Sequence, residues 1–211
     1  MARRLRSNFV HGPAGRLEIL HETPTDSTRT KRVVVVCHPH PLHGGSMHNK
    51  VVFRLARAAR RAEAAVVRFQ FRGVGLSDGS YDEGRGEQDD LRAVLSYASE
   101  SYPGLPVGVI GFSFGARVGL RVCCSDVRVE RCVAVGTPVD HGDWSFLNHC
   151  TCLKFFLHST QDQYGSRETM ENVFKCAASP KKLIWIDSPD HFFHNSLDVL
   201  EEAAMEVFQA P

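Results

Sequence analysis

Residues 106–123 read P-V-G-V-I-G-F-S-F-G-A-R-V-G-L-R-V-C, and their order decides the fold. The run 106–111 is short, apolar and β-branched, as in a strand buried on both faces. A helical pattern follows from Ser113 to about Cys123. Strand therefore turns into helix at one serine, with a glycine two residues to either side.

The same alternation extends outward in both directions. Towards the N-terminus, 32–37 (R-V-V-V-V-C) and 64–71 (A-A-V-V-R-F-Q-F) read as strands. Between them, 49–63 is a helix with Val51, Val52, Leu55, Ala56 and Ala59 on one face and arginines mostly on the other. A second helix covers 88–99. Towards the C-terminus, strands at 129–135, 153–158 and 182–186 alternate with helices at 166–178 and 197–208. Segments 8–11 and 16–21, joined by G-P-A-G, form a hairpin at the sheet edge. Such β-α-β order implies an α/β fold, a mainly parallel central sheet with helices on both faces. A single domain spanning 1–211 is expected, since the chain has 211 residues and shows no linker or repeat. The longest loop is 73–87, and loops of that length are often functional.

Charge and composition exclude several classes. A formal net charge of +1 argues against nucleic-acid binding. No run approaches the roughly 18 apolar residues of a membrane span. A secretory signal would need an apolar stretch behind the basic start, and none follows. Arg3, Arg4 and Arg6 fit a mitochondrial transit peptide, but the segment runs directly into the first strand, so a cytoplasmic location is expected. Seven cysteines, an odd count without a signal peptide, point to reduced and mostly inert thiols.

Residues 111–115, G-F-S-F-G, match a nucleophile elbow, the sharp strand-to-helix turn that lifts a serine hydroxyl above a sheet. Ser113 is the candidate nucleophile. A hydroxyl needs a base and a group that orients the base. Asp162 follows the strand 153–158, and His191 follows the last strand, so both stand where Ser–Asp–His order requires. Asp187 and Asp190 compete with Asp162, and His194 competes with His191. Acyl transfer also needs donors for an oxyanion. The backbone N–H of Phe114 is one candidate. In the loop C-H-P-H-P-L-H-G-G at 37–45, Pro39 and Pro41 have no N–H, which leaves His40 as the other, with Leu42 as competitor. Four histidines at 38, 40, 43 and 48 suggest a metal, but their spacing matches no zinc pattern. No metal or cofactor is expected, and 44–51 is not a phosphate loop.

H-P-H-P-L-H-G-G-S-M-H-N-K at 38–50, F-R-G-V-G-L-S-D-G at 71–79, G-F-S-F-G at 111–115 and D-H-F-F at 190–193 resemble the small α/β-hydrolases related to dienelactone hydrolase and bacterial carboxylesterases. The likeness runs from about residue 8 to 208. It implies an open α/β-hydrolase core, no cofactor and hydrolysis of an ester-like bond. Dienelactone hydrolase itself uses a cysteine nucleophile where this chain has Ser113, so its substrate is not carried over.

The resulting expectation is a serine carboxylesterase acting on small-molecule esters, with no nucleic-acid or membrane partner. Thioesterase, peptidase and a non-catalytic binding module are the alternatives. Arg72 is a candidate for an anionic substrate, although such an arginine more often ties loops together. Residues 139–151 are too short for a cap domain. Trp144 and Phe146 in that segment either line an acyl pocket or pack in the core. Without a cap, a preference for short acyl chains is expected.

Overall fold

The computed structural model describes residues 5–23 and 29–209. Its eight strands are β1 (Leu5–Gly12), β2 (Gly15–Glu22), β3 (Arg32–Cys37), β4 (Ala64–Phe69), β5 (Val107–Phe112), β6 (Val129–Val135), β7 (Leu153–Ser159) and β8 (Lys181–Ile186). They form one sheet in the order β1-β2-β4-β3-β5-β6-β7-β8. The hairpin β1–β2 is antiparallel and joins β4 antiparallel, while all remaining pairs are parallel. The basic start, 1–4, lies outside the described residues.

Five helices cover the sheet: α1 (Lys50–Arg61), α2 (Gly86–Ser101), α3 (Phe114–Cys123), α4 (Arg167–Cys176) and α5 (Leu197–Gln209). Strand alternation divides the apolar residues into two cores. Val33, Val35 and Cys37 of β3 pack on the side of α2, α3 and α4. Val34 and Val36 pack on the side of α1 and α5. At about 25 cal/mol per Å² of apolar area removed from water, these two layers supply the main driving force for folding.

Local chemistry sets the helix starts. Asn49 caps α1, its Oδ1 accepting the Val51 N–H at 2.8 Å. The Ser166 side chain caps α4. Strand β4 ends at Phe69, two residues earlier than the apolar run suggests. The reason is that the Phe71 N–H leaves the ladder and donates to His38 Nε2 at 3.0 Å. Between β6 and β7, residues 136–152 make one 3-10 turn at Ser145–His149 and no cap.

One expectation needs correction. Cys124 and Cys150 are joined by a disulfide, with their Cα atoms 4.7 Å apart. The sequence spacing of 26 residues gives no sign of this. The pair forms because Cys124 ends α3 and Cys150 follows the 3-10 turn, and the fold brings those two ends together. Cys37, Cys123, Cys132, Cys152 and Cys176 are free. Burial pushes the Cys37 and Cys123 thiols well above their usual range, which makes them poor nucleophiles. Titrating the denatured, unreduced chain with a thiol reagent should therefore count five reactive groups. A count of seven would show that Cys124 and Cys150 are not bonded.

Candidate active site

The turn after β5 is held by close backbone contact. A Cβ at Gly111 would stand 2.2 Å from the Gly115 carbonyl oxygen, and one at Gly115 would stand 2.5 Å from that of Cys37. Both are far inside van der Waals contact, so only glycine fits. Ser113 between them has φ 57° and ψ −116°, a conformation that side chains seldom adopt. Its N–H donates to the Val135 carbonyl at 2.8 Å, which ties the turn to β6. The strain costs on the order of 1–3 kcal/mol and persists because the surrounding contacts over-determine the turn.

Ser113 Oγ lies 2.9 Å from His191 Nε2. On its other side His191 Nδ1 meets both oxygens of Asp162, at 2.9 and 2.8 Å. The Asp162 carboxylate and the His191 ring are both buried. The His191 N–H donates to Gln163 Oε1 at 3.0 Å, and Asp162 Oδ1 accepts the Tyr164 N–H at 2.8 Å. Loops after β7 and β8 are thus locked together around the ring. The rival residues point elsewhere. Asp187 accepts from the Thr160 hydroxyl, while Asp190 pairs with the exposed ring of His194.

Facing Ser113 is a cavity of about 380 Å³ lined in part by His40, Phe114, Tyr81, Arg117, Tyr164 and Phe192. Among the described residues, the backbone N–H groups of His40 and Phe114 have no hydrogen-bond partner. The Leu42 N–H is already committed, donating to His40 Nδ1 at 3.2 Å. With Nδ1 as acceptor, neutral His40 carries its proton on Nε2 and donates it to the Tyr81 hydroxyl at 3.2 Å. His40 lies below its ordinary pKa, first through burial and then through the charge of neighbouring His43, against which its ring stacks.

Two buried imidazoles brace the site from below. His38 Nδ1–H donates to the Pro39 carbonyl at 2.6 Å, and Nε2 accepts from Phe71. Both nitrogens are used, so His38 is not free to bind a metal. Among the described residues, no group of three His, Cys, Asp or Glu side chains could hold one. His158 Nε2–H donates to the Gly165 carbonyl at 2.7 Å, behind Asp162.

Three expected substrate contacts are corrected. The Arg72 guanidinium binds Asp90 at 2.8 Å and the Gly86 carbonyl at 2.7 Å, tying the 72–85 loop to α2 instead of reaching the cavity. Trp144 is buried in the core, with Nε1–H donating to the His141 carbonyl at 3.2 Å. Phe146 packs against the same core beneath Arg121. Neither ring lines the cavity, because the 3-10 turn directs both inward. Tyr164 and Phe192 also line the cavity, two residues beyond Asp162 and one beyond His191. Arg117, which the sequence reading did not single out, stands one helical turn beyond Ser113, a spacing that could have marked it. Tyr81 had no sequence signal beyond lying in a long loop.

A sequence profile of the alpha/beta hydrolase family matches residues 18–210. This chain belongs to that family. It is similar to a lidless a/b serine hydrolase from Xanthomonas campestris, 32% identical with a TM-score of 0.89, covering 98% of this chain and 94% of that one. An alpha-beta serine hydrolase homologue from Coxiella burnetii is 33% identical with a TM-score of 0.90, covering 96% of each chain. An uncharacterized protein of Rickettsia prowazekii is 30% identical over 92% of this chain and 85% of its own. The chain is thus a hydrolase of the cap-less α/β type. Among the described residues no helix is long and apolar enough to cross a membrane.

The braces of this hydrolase carry a pH signature. Burial pushes His38 from its ordinary 6.5 down to about 4, and burial also lowers His158. Between those values the unfolded chain takes up protons that the folded chain refuses. Stability is therefore complete above about pH 6.5 and falls as pH drops towards 4, with His38 alone accounting for about 3 kcal/mol. Urea unfolding across that range should show the slope, and His38→Gln should flatten it. An unchanged slope in the variant would contradict the assignment.

Proposed function

We propose that this hydrolase is a serine carboxylesterase acting on short acyl esters. The observation that carries the reading is the continuous hydrogen-bonded chain from Asp162 through His191 to Ser113 Oγ, opening onto the cavity.

On this reading Ser113 Oγ attacks the ester carbonyl while His191 Nε2 takes its proton. Asp162 accepts the Nδ1–H bond, which fixes the tautomer and stabilises the imidazolium. Negative charge growing on the carbonyl oxygen meets the uncommitted N–H groups of His40 and Phe114. His191 then returns the proton to the departing alcohol, leaving an acyl group on Ser113. Water, activated by the same imidazole, releases the acid. His40 acts here through its backbone, and its ring holds the loop by its bonds to Leu42 and Tyr81.

Chain-length preference follows from what covers the site. A buried methylene is worth about 0.8 kcal/mol, so a long tunnel would give a steep rise with acyl length. The lining residues Tyr164 and Phe192 are exposed, and among the described residues no cap encloses the cavity. Acetyl to butyryl esters fit this opening, and extra methylenes gain little burial.

Ser113→Ala should remove hydrolysis of p-nitrophenyl butyrate by several orders of magnitude while leaving the circular dichroism spectrum and Tm unchanged. Near-native activity in a clean preparation would sink the proposal. Asp162→Asn should also be severe, and far more so than Asp187→Asn. The reverse ranking would mean another carboxylate orients His191. Across p-nitrophenyl esters of rising length, kcat/KM should peak among the short chains, and a peak at about eight carbons or beyond would reveal a deep acyl pocket.

A further inference from the structure

Among the described residues, Arg117 is the one guanidinium lining the cavity that Ser113 opens onto, and helix α3 sets it one turn, about 5.4 Å of rise, beyond Ser113. It is half-buried, yet among the described residues it makes no hydrogen bond or ion pair. Its ring contact is with Trp144, at 5.9 Å. Half-buried Arg72 is by contrast fully engaged with Asp90 and the Gly86 carbonyl. The guanidinium rests against Gly142 and Trp144 with its donors uncommitted, and a planar fork of donors lining the same cavity as a reactive hydroxyl suits a carboxylate.

Neighbouring charges do not fill that role. Glu83 lines the same cavity but pairs with Arg85 at 3.4 Å. Asp143 is near enough to feel the charges of Arg121 and Arg117, but its oxygens accept from the Ser145 N–H and hydroxyl. Arg121 donates to the Asp143 carbonyl. A second cavity of about 200 Å³ adjoins the first, sharing Glu83, Phe114 and Arg117 with it and adding Arg85 and Arg121. Its lining carries three guanidinium groups against one carboxylate.

The chemistry of the site distinguishes the two sides of the ester. The departing alcohol takes its proton from His191 Nε2, so it leaves on the side of Tyr164 and Phe192, whose rings flank that imidazole. The acyl group stays on Ser113, within the cavity that Phe114 and Arg117 also line. We propose that Arg117 binds an anionic group on the acyl part of the substrate, which makes half-esters of dicarboxylic acids the preferred class. This rests on the esterase reading above.

The test compares p-nitrophenyl hydrogen adipate, which ends in a carboxylate, with p-nitrophenyl methyl adipate, its neutral counterpart. For the native enzyme kcat/KM should favour the anionic ester about tenfold, mainly through KM. The ratio should shrink towards one at about 1 M salt. Arg117→Gln should abolish the preference and Arg117→Lys should retain part of it. A native ratio near one, or a ratio unchanged in Arg117→Gln, overturns the inference while hydrolysis of the neutral ester leaves the esterase reading intact. An equal loss on both esters in Arg117→Gln would show that the residue only supports the Trp144 loop, and also overturns it. Failure of the native enzyme on both adipates while it hydrolyses p-nitrophenyl butyrate overturns the inference alone, and failure on all three esters overturns both readings.

Discussion

No side-chain carbon can be added at position 111 or 115 without driving it into backbone, and the site depends on that restriction. Gly115 lets the start of α3 settle against the carbonyl groups of Cys37 and His38. The contact does two things at once. It holds Ser113 at a positive φ with its hydroxyl lifted off the sheet, and it brings the loop after β3 beside the N-terminus of α3. His40, Phe114 and Ser113 line one cavity where these two backbones touch. Everything proposed about oxyanion stabilisation rests on this contact.

Buried polar residues fix the geometry at a cost in charge. His38 spans the gap between the loop after β3 and the end of β4, and His158 buttresses the loop that carries Asp162. His38 works as a neutral imidazole whose donor and acceptor are both engaged, so protonation would break its bond to the Phe71 N–H, whereas His158 uses only its Nε2–H, its buried Nδ1 having no hydrogen-bond partner among the described residues. Within the sheet, an ion pair between Arg68 and Glu22, both almost fully buried, ties β4 to β2 at 2.5 Å. A charge pair of this kind contributes little net stability, and Glu22 also meets Arg60 of α1 at 3.1 Å, so the pair ties α1 to the same two strands.

Much of this was legible in the sequence, for physical reasons that differ by residue. The β-branched run of β3 and the periodicity of α1 report burial directly, and burial defines the layers. Ser113 stands out because its turn needs glycine at fixed offsets. Asp162 and His191 stand where chain order requires them, and the structure places both within hydrogen-bond reach of their partners. Long-range closure was not legible. Nothing local says that Cys124 meets Cys150, that Arg72 turns to Asp90, or that a 3-10 turn directs Trp144 and Phe146 inward. Tyr81 reaches His40 across 41 positions, a distance no periodicity encodes.

The central claim is that one serine, activated by His191, attacks the substrate. Its most direct test is reaction of the native enzyme with a fluorophosphonate, followed by intact mass and peptide mapping. The account predicts a single adduct on the peptide carrying Ser113, formed rapidly in the native enzyme and very slowly in His191→Ala. An adduct on a different residue, or an active enzyme that takes up no label, would contradict it.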